Sequence, residues 1–256
     1  MARGFGKMAT VHLKGGLGNQ LFQLAFLEYI RHAHGCGAFL RTLESPRTAH
    51  STEQYFETIF RNWRPMYDGA RRAVEYVHEN PKMAKQEWPP RDACYEGYFQ
   101  RHEYCDPVRE AFVAKLHFDE GVLARYPGLS TKTFVHVRGG DYAGNWLHEV
   151  PLRAYYARCV ELTPLKDFVV FTDDLAYARG LIPEIVDGAQ VIEESEVDTL
   201  LLMSRCGACI CANSSFSWWG AYLNADRPIF MPSRWYTDPA MEGDYHFGGA
   251  TVVHVD

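Results

Sequence analysis

Apolar positions along the chain fall into two kinds of run. A short β-prone run stands at 10–13, and short apolar stretches at 134–137, 168–171, 189–192, 208–211 and 229–231 are of the kind that form strands covered on both faces. Segments with helical spacing separate those of the second half, at 152–162, 175–181, 197–205 and 218–224. Pro151 suits a first helical position, and Ser195 with Asp198 reads as a capping box. Strand and helix in this alternation predict parallel β-α-β units and an α/β fold.

The first half opens on the strand at 10–13 and the loop Gly15-Gly16-Leu17-Gly18-Asn19-Gln20. An apolar stretch at 21–33 follows and stops at Gly35, as a buried helix ended by glycine does. From 42 to 92 the pattern is aromatic and charged, with helical spacing at 55–63 and 70–79 and a break at Trp88-Pro89-Pro90. The stretch 126–132, which holds Pro127, Gly128 and Ser130, reads as a linker. It predicts halves at 8–128 and 129–256.

Composition narrows the classes. With 47% apolar and 23% charged residues in 256, the chain can build a core and is neither disordered, collagenous nor a coiled-coil rod. A net charge of −6 supplies no basic field for a nucleic-acid backbone, which leaves room only for a local basic site. No apolar run nears the ~18–20 residues of a membrane span, and residues 1–8 lack the apolar core of a signal peptide. The expectation is a soluble, cytoplasmic protein with no integral membrane contact. Seven cysteines, an odd number, suit a reducing compartment. Cys206, Cys209 and Cys211 have no second ligand pair at zinc-site spacing and read as core residues.

Four stretches carry candidate chemistry. The glycine loop is not a dinucleotide fingerprint, because Leu21 stands where the third glycine belongs and no acid follows cleanly at the ribose distance. It is either a plain turn or a helix start whose amides favour an anion. His136-Val137-Arg138-Gly139-Gly140-Asp141-Tyr142 follows a strand end, where parallel sheets bind ligands. Arg138 there is a phosphate fork or a surface ion pair, and Asp141 a functional carboxylate or a turn residue. Asp173 and Asp174, again past a strand, are helix caps or contacts to a nucleobase or ribose. Asn213-Ser214-Ser215-Phe216-Ser217-Trp218-Trp219-Gly220 gathers hydroxyls and amides at one helix start, without a Gly-x-Ser-x-Gly elbow.

Taken in order, these motifs resemble glycosyltransferase family 11, the α-1,2-fucosyltransferases. The resemblance runs from Val11 to Trp235 and includes Glu96-Gly97-Tyr98-Phe99-Gln100, Phe171-Thr172-Asp173-Asp174 and Pro232 with Trp235. It implies a GT-B-type architecture, two Rossmann-like halves with parallel sheets facing across a cleft, the second half holding the nucleotide. It also implies inverting, metal-independent transfer of L-fucose from GDP-β-L-fucose to a galactoside hydroxyl, with no cofactor and a galactose-containing glycan as acceptor. Carried over by position, Arg138 holds the diphosphate. Gly16, Gly18, Asn19 and Gln20 face it, while His136, Asp173, Asn213, Ser214, Ser215 and Phe216 lie at the nucleotide. Asp141 is the first candidate for catalytic base, with His148 or Glu149 second. One departure stands out: Gly139 replaces the family's second Arg, removing one charge-assisted donor, a kind of bond that contributes ~1.5–3 kcal/mol. That keeps two alternatives open, a different nucleotide-sugar donor or a non-catalytic relative.

Overall fold

The computed structural model describes residues 8–42, 52–68, 75–80, 87–88 and 92–255. The chain divides into two compact units, Met1–His117 and Phe118–Asp256. Among the described residues no helix is long and apolar enough to cross a membrane.

The first unit runs β1 (Met8–Leu13), α1 (Leu17–His34), β2 (Gly37–Thr42), α2 (Thr52–Glu57), β3 (Tyr76–His78), β4 (Ala93–Glu96), α3 (His102–Cys105) and α4 (Arg109–Val113). Its four strands are parallel in the order β2-β1-β4-β3. Helix α1 ends as expected: Gly35 adopts φ +59 and returns its N–H to Arg31. Inside, Phe26 stacks on Phe99 at 3.8 Å and meets Trp88, Tyr95 and Tyr104 edge-on. The helix expected at 70–79 is corrected in part. Residues 70–74 lie outside the described set, and Tyr76–His78 is an edge strand, because pairing of Val77 with Tyr95 outweighs local spacing. The helical spacing at 55–63 resolves into the short α2 and a 3-10 turn at Arg61–Met66 containing Pro65. Pro89 and Pro90 lie outside the described residues.

The second unit runs β5 (Thr133–Val137), α5 (Arg153–Leu162), β6 (Phe168–Thr172), α6 (Leu175–Leu181), α7 (Pro183–Val186), β7 (Gln190–Ile192), α8 (Glu196–Arg205), β8 (Ala208–Ile210), α9 (Ser215–Tyr222), β9 (Ile229–Pro232) and β10 (Thr251–Val253). Six parallel strands stand in the order β10-β9-β8-β5-β6-β7. The chain thus winds one way from β5 and the other way from β8, the doubly wound order with its switch point between them. Two parallel-sheet halves are therefore present, as the patterning and the resemblance implied. Ser195 caps α8 by accepting from the Asp198 N–H at 3.1 Å. Pro151 precedes the N-cap Leu152 rather than opening the helix. Buried Tyr155 and Tyr156 tie α5 to the sheet, their hydroxyls donating to the carbonyls of Cys211, Phe230 and His136.

Residues 118–128, expected in the first half, pack with the second. Glu194 accepts from Arg125 at 2.7 Å and from the Tyr126 hydroxyl at 2.6 Å, and Glu120 pairs with Arg205 at 2.6 Å. The anticipated linker becomes a 3-10 turn at Leu129–Thr131, entered through Gly128 at φ +78, that leads directly into β5. Cys206, Cys209 and Cys211 are buried free thiols, and burial pushes Cys206 and Cys209 up to about 12. They are core groups, as their spacing suggested.

Candidate active site

At the switch point of the second unit, β5 delivers His136 and Arg138, β6 delivers Asp173, and β8 leads through Asn213 and Ser214 into α9. His136 and Phe216 meet across that point with ring centroids 5.7 Å apart. Arg138 is three-quarters covered. Its Nε and Nη2 donate to Asp141 at 3.1 and 2.6 Å, and its Nη1 pairs with Asp173 at 2.7 Å. Burial alone would weaken its charge, but Asp173 and Asp141 outweigh that and hold the guanidinium protonated.

The two glycines of the turn have separate reasons. Gly140 sits at φ +30, and a Cβ there would lie 2.3 Å from an Asp173 carboxylate oxygen. Gly139 donates its N–H to the other Asp173 oxygen at 2.8 Å, and a Cβ on it would come within 2.5 Å of the Asp174 Cβ. Asp173 is thus the buckle of the turn, binding its cation and its backbone together. Asp174 is a cap: it accepts from the Tyr177 N–H at 2.9 Å and opens α6.

His136 is buried, and among the described residues its Nδ1 has no hydrogen-bond partner. Burial, with Arg138 adding to it, pushes its pKa down to about 3, so the imidazole is neutral in the folded protein. A neutral ring with a vacant nitrogen exchanges hydrogen bonds with a ligand without competing for its charge.

The Asn213 stretch divides its tasks. The Asn213 amide donates to the carbonyls of His148 at 3.0 Å and Trp235 at 2.9 Å. Both its N–H groups therefore hold loops, which gives Asn213 a positioning task. Ser214 caps α9, accepting from the Phe216 N–H at 3.3 Å, while Ser215 opens the helix. Sequence reasoning passed over Tyr142 and Tyr236. The Tyr142 ring lies 5.5 Å from the Arg138 guanidinium and stacks at 4.6 Å on His148, which Tyr236 flanks at 5.3 Å. Aromatic residues beside an Arg and a His in strand-end loops were the available signal.

In the first unit, the loop after β1 meets the loop after β4, its neighbour in the sheet. Gly16 is the N-cap of α1 and has no side chain to cap it, so the first-turn amides, Gly18 among them, keep no side-chain acceptor at the cap. Gln20 donates to the Gly15 carbonyl at 2.8 Å, and among the described residues its own buried Oε1 has no partner. Asn19 accepts from Gln100 at 2.7 Å, Gln23 donates to the Gly97 carbonyl at 2.9 Å, and Lys14 lies 5.1 Å over the Tyr98 ring. The motif at 96–100 is thus the partner of the glycine loop. Gln100 and Tyr98 belong with the residues predicted there.

The chain matches the model of glycosyl transferase family 11 over residues 73–247. It is 28% identical to the O-antigen biosynthesis glycosyltransferase WbnK of Escherichia coli, over 56% of this chain and 55% of that one. It is 34% identical to an alpha-1,2-colitosyltransferase of Escherichia coli, over 55% and 53% of the two chains. Over 91% of this chain and 68% of the relative, it is 27% identical to a galactoside 2-alpha-L-fucosyltransferase of Mus musculus. The match thus spans about half the length of the two bacterial relatives.

Proposed function

Because the chain belongs to glycosyl transferase family 11, we propose that it transfers L-fucose from GDP-β-L-fucose to a galactoside hydroxyl, with inversion and without a metal, forming an α-1,2 linkage. The observation that carries this reading is Arg138, clamped between Asp141 and Asp173 at the switch point of a doubly wound sheet. Breaking the bond to the diphosphate builds negative charge on GDP and positive charge on the sugar. A fixed, partly desolvated guanidinium stabilises that leaving group without reorganising during the reaction. Three of its five N–H donors are engaged, two on Asp141 and one on Asp173, so the fork keeps two for phosphate oxygens. The neutral His136 ring and the start of α9 lie beside it for the rest of the nucleotide. The glycine loop of the first unit offers uncharged amides at the start of α1, an arrangement that favours an anion.

The identity of the sugar is the variable part of this proposal. Gly139 stands where the resembling family carries a second Arg, and the 34% identical relative bears the name of a colitosyltransferase. A second reading is therefore the same transfer from another nucleotide sugar. The test is GDP release by purified protein given GDP-L-fucose and lactose in EDTA, beside Arg138→Ala and a panel of other GDP- and UDP-sugars. Release in EDTA that falls ~10²–10³-fold in the variant is expected, the usual loss for one preorganised donor. Turnover of a different sugar only would move the chain to the second reading. Undiminished release in Arg138→Ala would remove Arg138 from the chemistry.

A further inference from the structure

An inverting transfer needs a group to take the proton of the attacking hydroxyl, and three side chains of the loop after β5 are candidates by chemistry. Asp141 has one carboxylate oxygen taken up twice by Arg138, so that oxygen is already occupied by the cation. Glu149 is held by the Gly144 N–H at 2.9 Å and by the Tyr177 hydroxyl. His148 differs from both. Its main chain is pinned at each end, the N–H donating to the Asn145 Oδ1 at 3.3 Å and the carbonyl accepting from Asn213 at 3.0 Å. Its ring lies nearly parallel to Tyr142, at 17°, and tilted against Tyr236. Yet among the described residues the enclosed Nδ1 has no partner, and no side chain or main chain bonds Nε2. A ring fixed so thoroughly, with its nitrogens left vacant, is arranged for a ligand.

We propose that His148, rather than Asp141, accepts the proton of the acceptor hydroxyl; this rests on the transfer reading above. The guanidinium lies 5.5 Å from the Tyr142 ring and that ring 4.6 Å from the imidazole, so Tyr142 stands against both the phosphate-binding cation and the base. In the step, the acceptor oxygen bonds to the anomeric carbon while the bond from that carbon to the β-phosphate oxygen breaks. Its electron pair leaves with GDP toward Arg138, and the hydroxyl proton passes to Nε2 and then to solvent. The charged and titratable neighbours of the ring are Asp141, Arg138, Tyr142 and Tyr236. Burial lowers the imidazole's pKa below the usual histidine value, with Asp141 opposing and Arg138 adding, so it is the free base at neutral pH.

The test uses His148→Phe, which keeps a ring between the two tyrosines but removes both nitrogens, with His148→Gln as a second variant should the first be unstable. The transfer rate from GDP-L-fucose to lactose is followed from pH 5 to 9, and GDP affinity is titrated separately. Expected are a ~10²–10⁴-fold loss of transfer, loss of the acidic limb of the pH profile, and GDP binding within about twofold of wild type. Transfer within about threefold of wild type, or an acidic limb that persists in His148→Phe and vanishes in Asp141→Asn or Glu149→Gln, overturns the assignment. If wild type transfers no sugar from any donor, the functional reading fails by itself. The His148 ring resonance, followed by NMR during titration with lactose in the presence of GDP, then decides: a shift sustains the hydroxyl contact, and none overturns it.

Discussion

Two strand-end loops, one in each unit, solve the same geometric problem with different chemistry. The loop after β1 and the loop after β5 both leave an inner strand of a parallel sheet, and both turn on a glycine at positive φ, Gly15 at +78 and Gly140 at +30. In each, a Cβ on that glycine would strike the residue that closes the loop, Asn19 at 2.7 Å or Asp173 at 2.3 Å. The closing residues part company there. The first loop is held by neutral amides, Asn19 with Gln100 and Gln20 with the Gly15 carbonyl. The second is held by a cation between two carboxylates. Neutral hydrogen bonds contribute ~0.5–1.5 kcal/mol and charged ones ~1.5–3. Similar topology therefore yields a soft rim in one unit and a stiff, charge-bearing one in the other.

The largest way to break that contrast is Arg138→Ala, already set out as a ~10²–10³-fold loss of GDP release. Next is Gly139→Arg, which restores the cation that the resembling family carries. Simple charge counting predicts a gain. The structure predicts otherwise, since the new Cβ would meet Asp174 Cβ at 2.5 Å and Tyr177 Cβ at 3.1 Å, and it would disturb the bond from the Gly139 N–H to Asp173. Overpacking of this kind costs about 1–3 kcal/mol. The expected outcome is a Tm lower by several degrees in a thermal melt and no rise in GDP affinity. Tighter GDP binding at an unchanged Tm would mean that the turn is more yielding than its contacts imply.

The same contrast decided what could be read from the chain alone. In the second unit, β5, β6 and β8 are buried in continuous apolar runs, and the pattern located them to within about a residue. In the first unit, polar residues fall within β2, β3 and β4, among them Arg41, His78 and Glu96. Glu96 bonds His12 at 3.1 Å and His78 at 3.3 Å, so ionisable side chains run across β1, β4 and β3 where the pattern expects apolar ones. Pairing that depends on such contacts leaves no periodic signal. The places of the expected site residues were legible, because all but His136, which lies within β5, follow a strand and the motifs keep their order. Their contacts were not. Nothing in the chain says that both Asn213 N–H groups reach the carbonyls of His148 and Trp235. Nor does it say that Asp141 is paired with Arg138. Distant backbone carbonyls carry no mark in sequence.

Acid sharpens the comparison further. His136 in the second unit has a folded pKa of about 3 against 6.5 when exposed, so below pH 6.5 the unfolded chain binds a proton that the folded one refuses. Its contribution is whole above pH 6.5 and falls away as pH drops toward 3, at about 1.4 kcal/mol per pH unit. Glu79 in the first unit has the opposite sign. Burial raises its carboxyl despite the Tyr98 and Phe99 N–H groups it accepts, so that contribution is lost as pH rises. Urea unfolding at pH 6.5 and pH 5.0 should therefore show a loss of about 2 kcal/mol from His136, abolished in His136→Gln. An acid loss of the same size in that variant would assign it elsewhere.

The smallest effect is the most discriminating about the neutral rim. Asn19→Ala removes the acceptor of the Gln100 bond and leaves that amide beside the exposed end of the loop. A neutral pair of this kind should cost about 1 kcal/mol of stability, and less than tenfold in GDP affinity, since 1.4 kcal/mol is a factor of ten. Gln100→Ala should do the same, and the double variant should lose little more than either single one, because both remove one shared bond. If Asn19→Ala instead matched Arg138→Ala in its loss of GDP release while Gln100→Ala stayed mild, Asn19 would be touching the reacting group itself. The first loop would then be a catalytic rim in its own right, and its lack of charge would reflect the part of the substrate it meets rather than a weaker share in holding it.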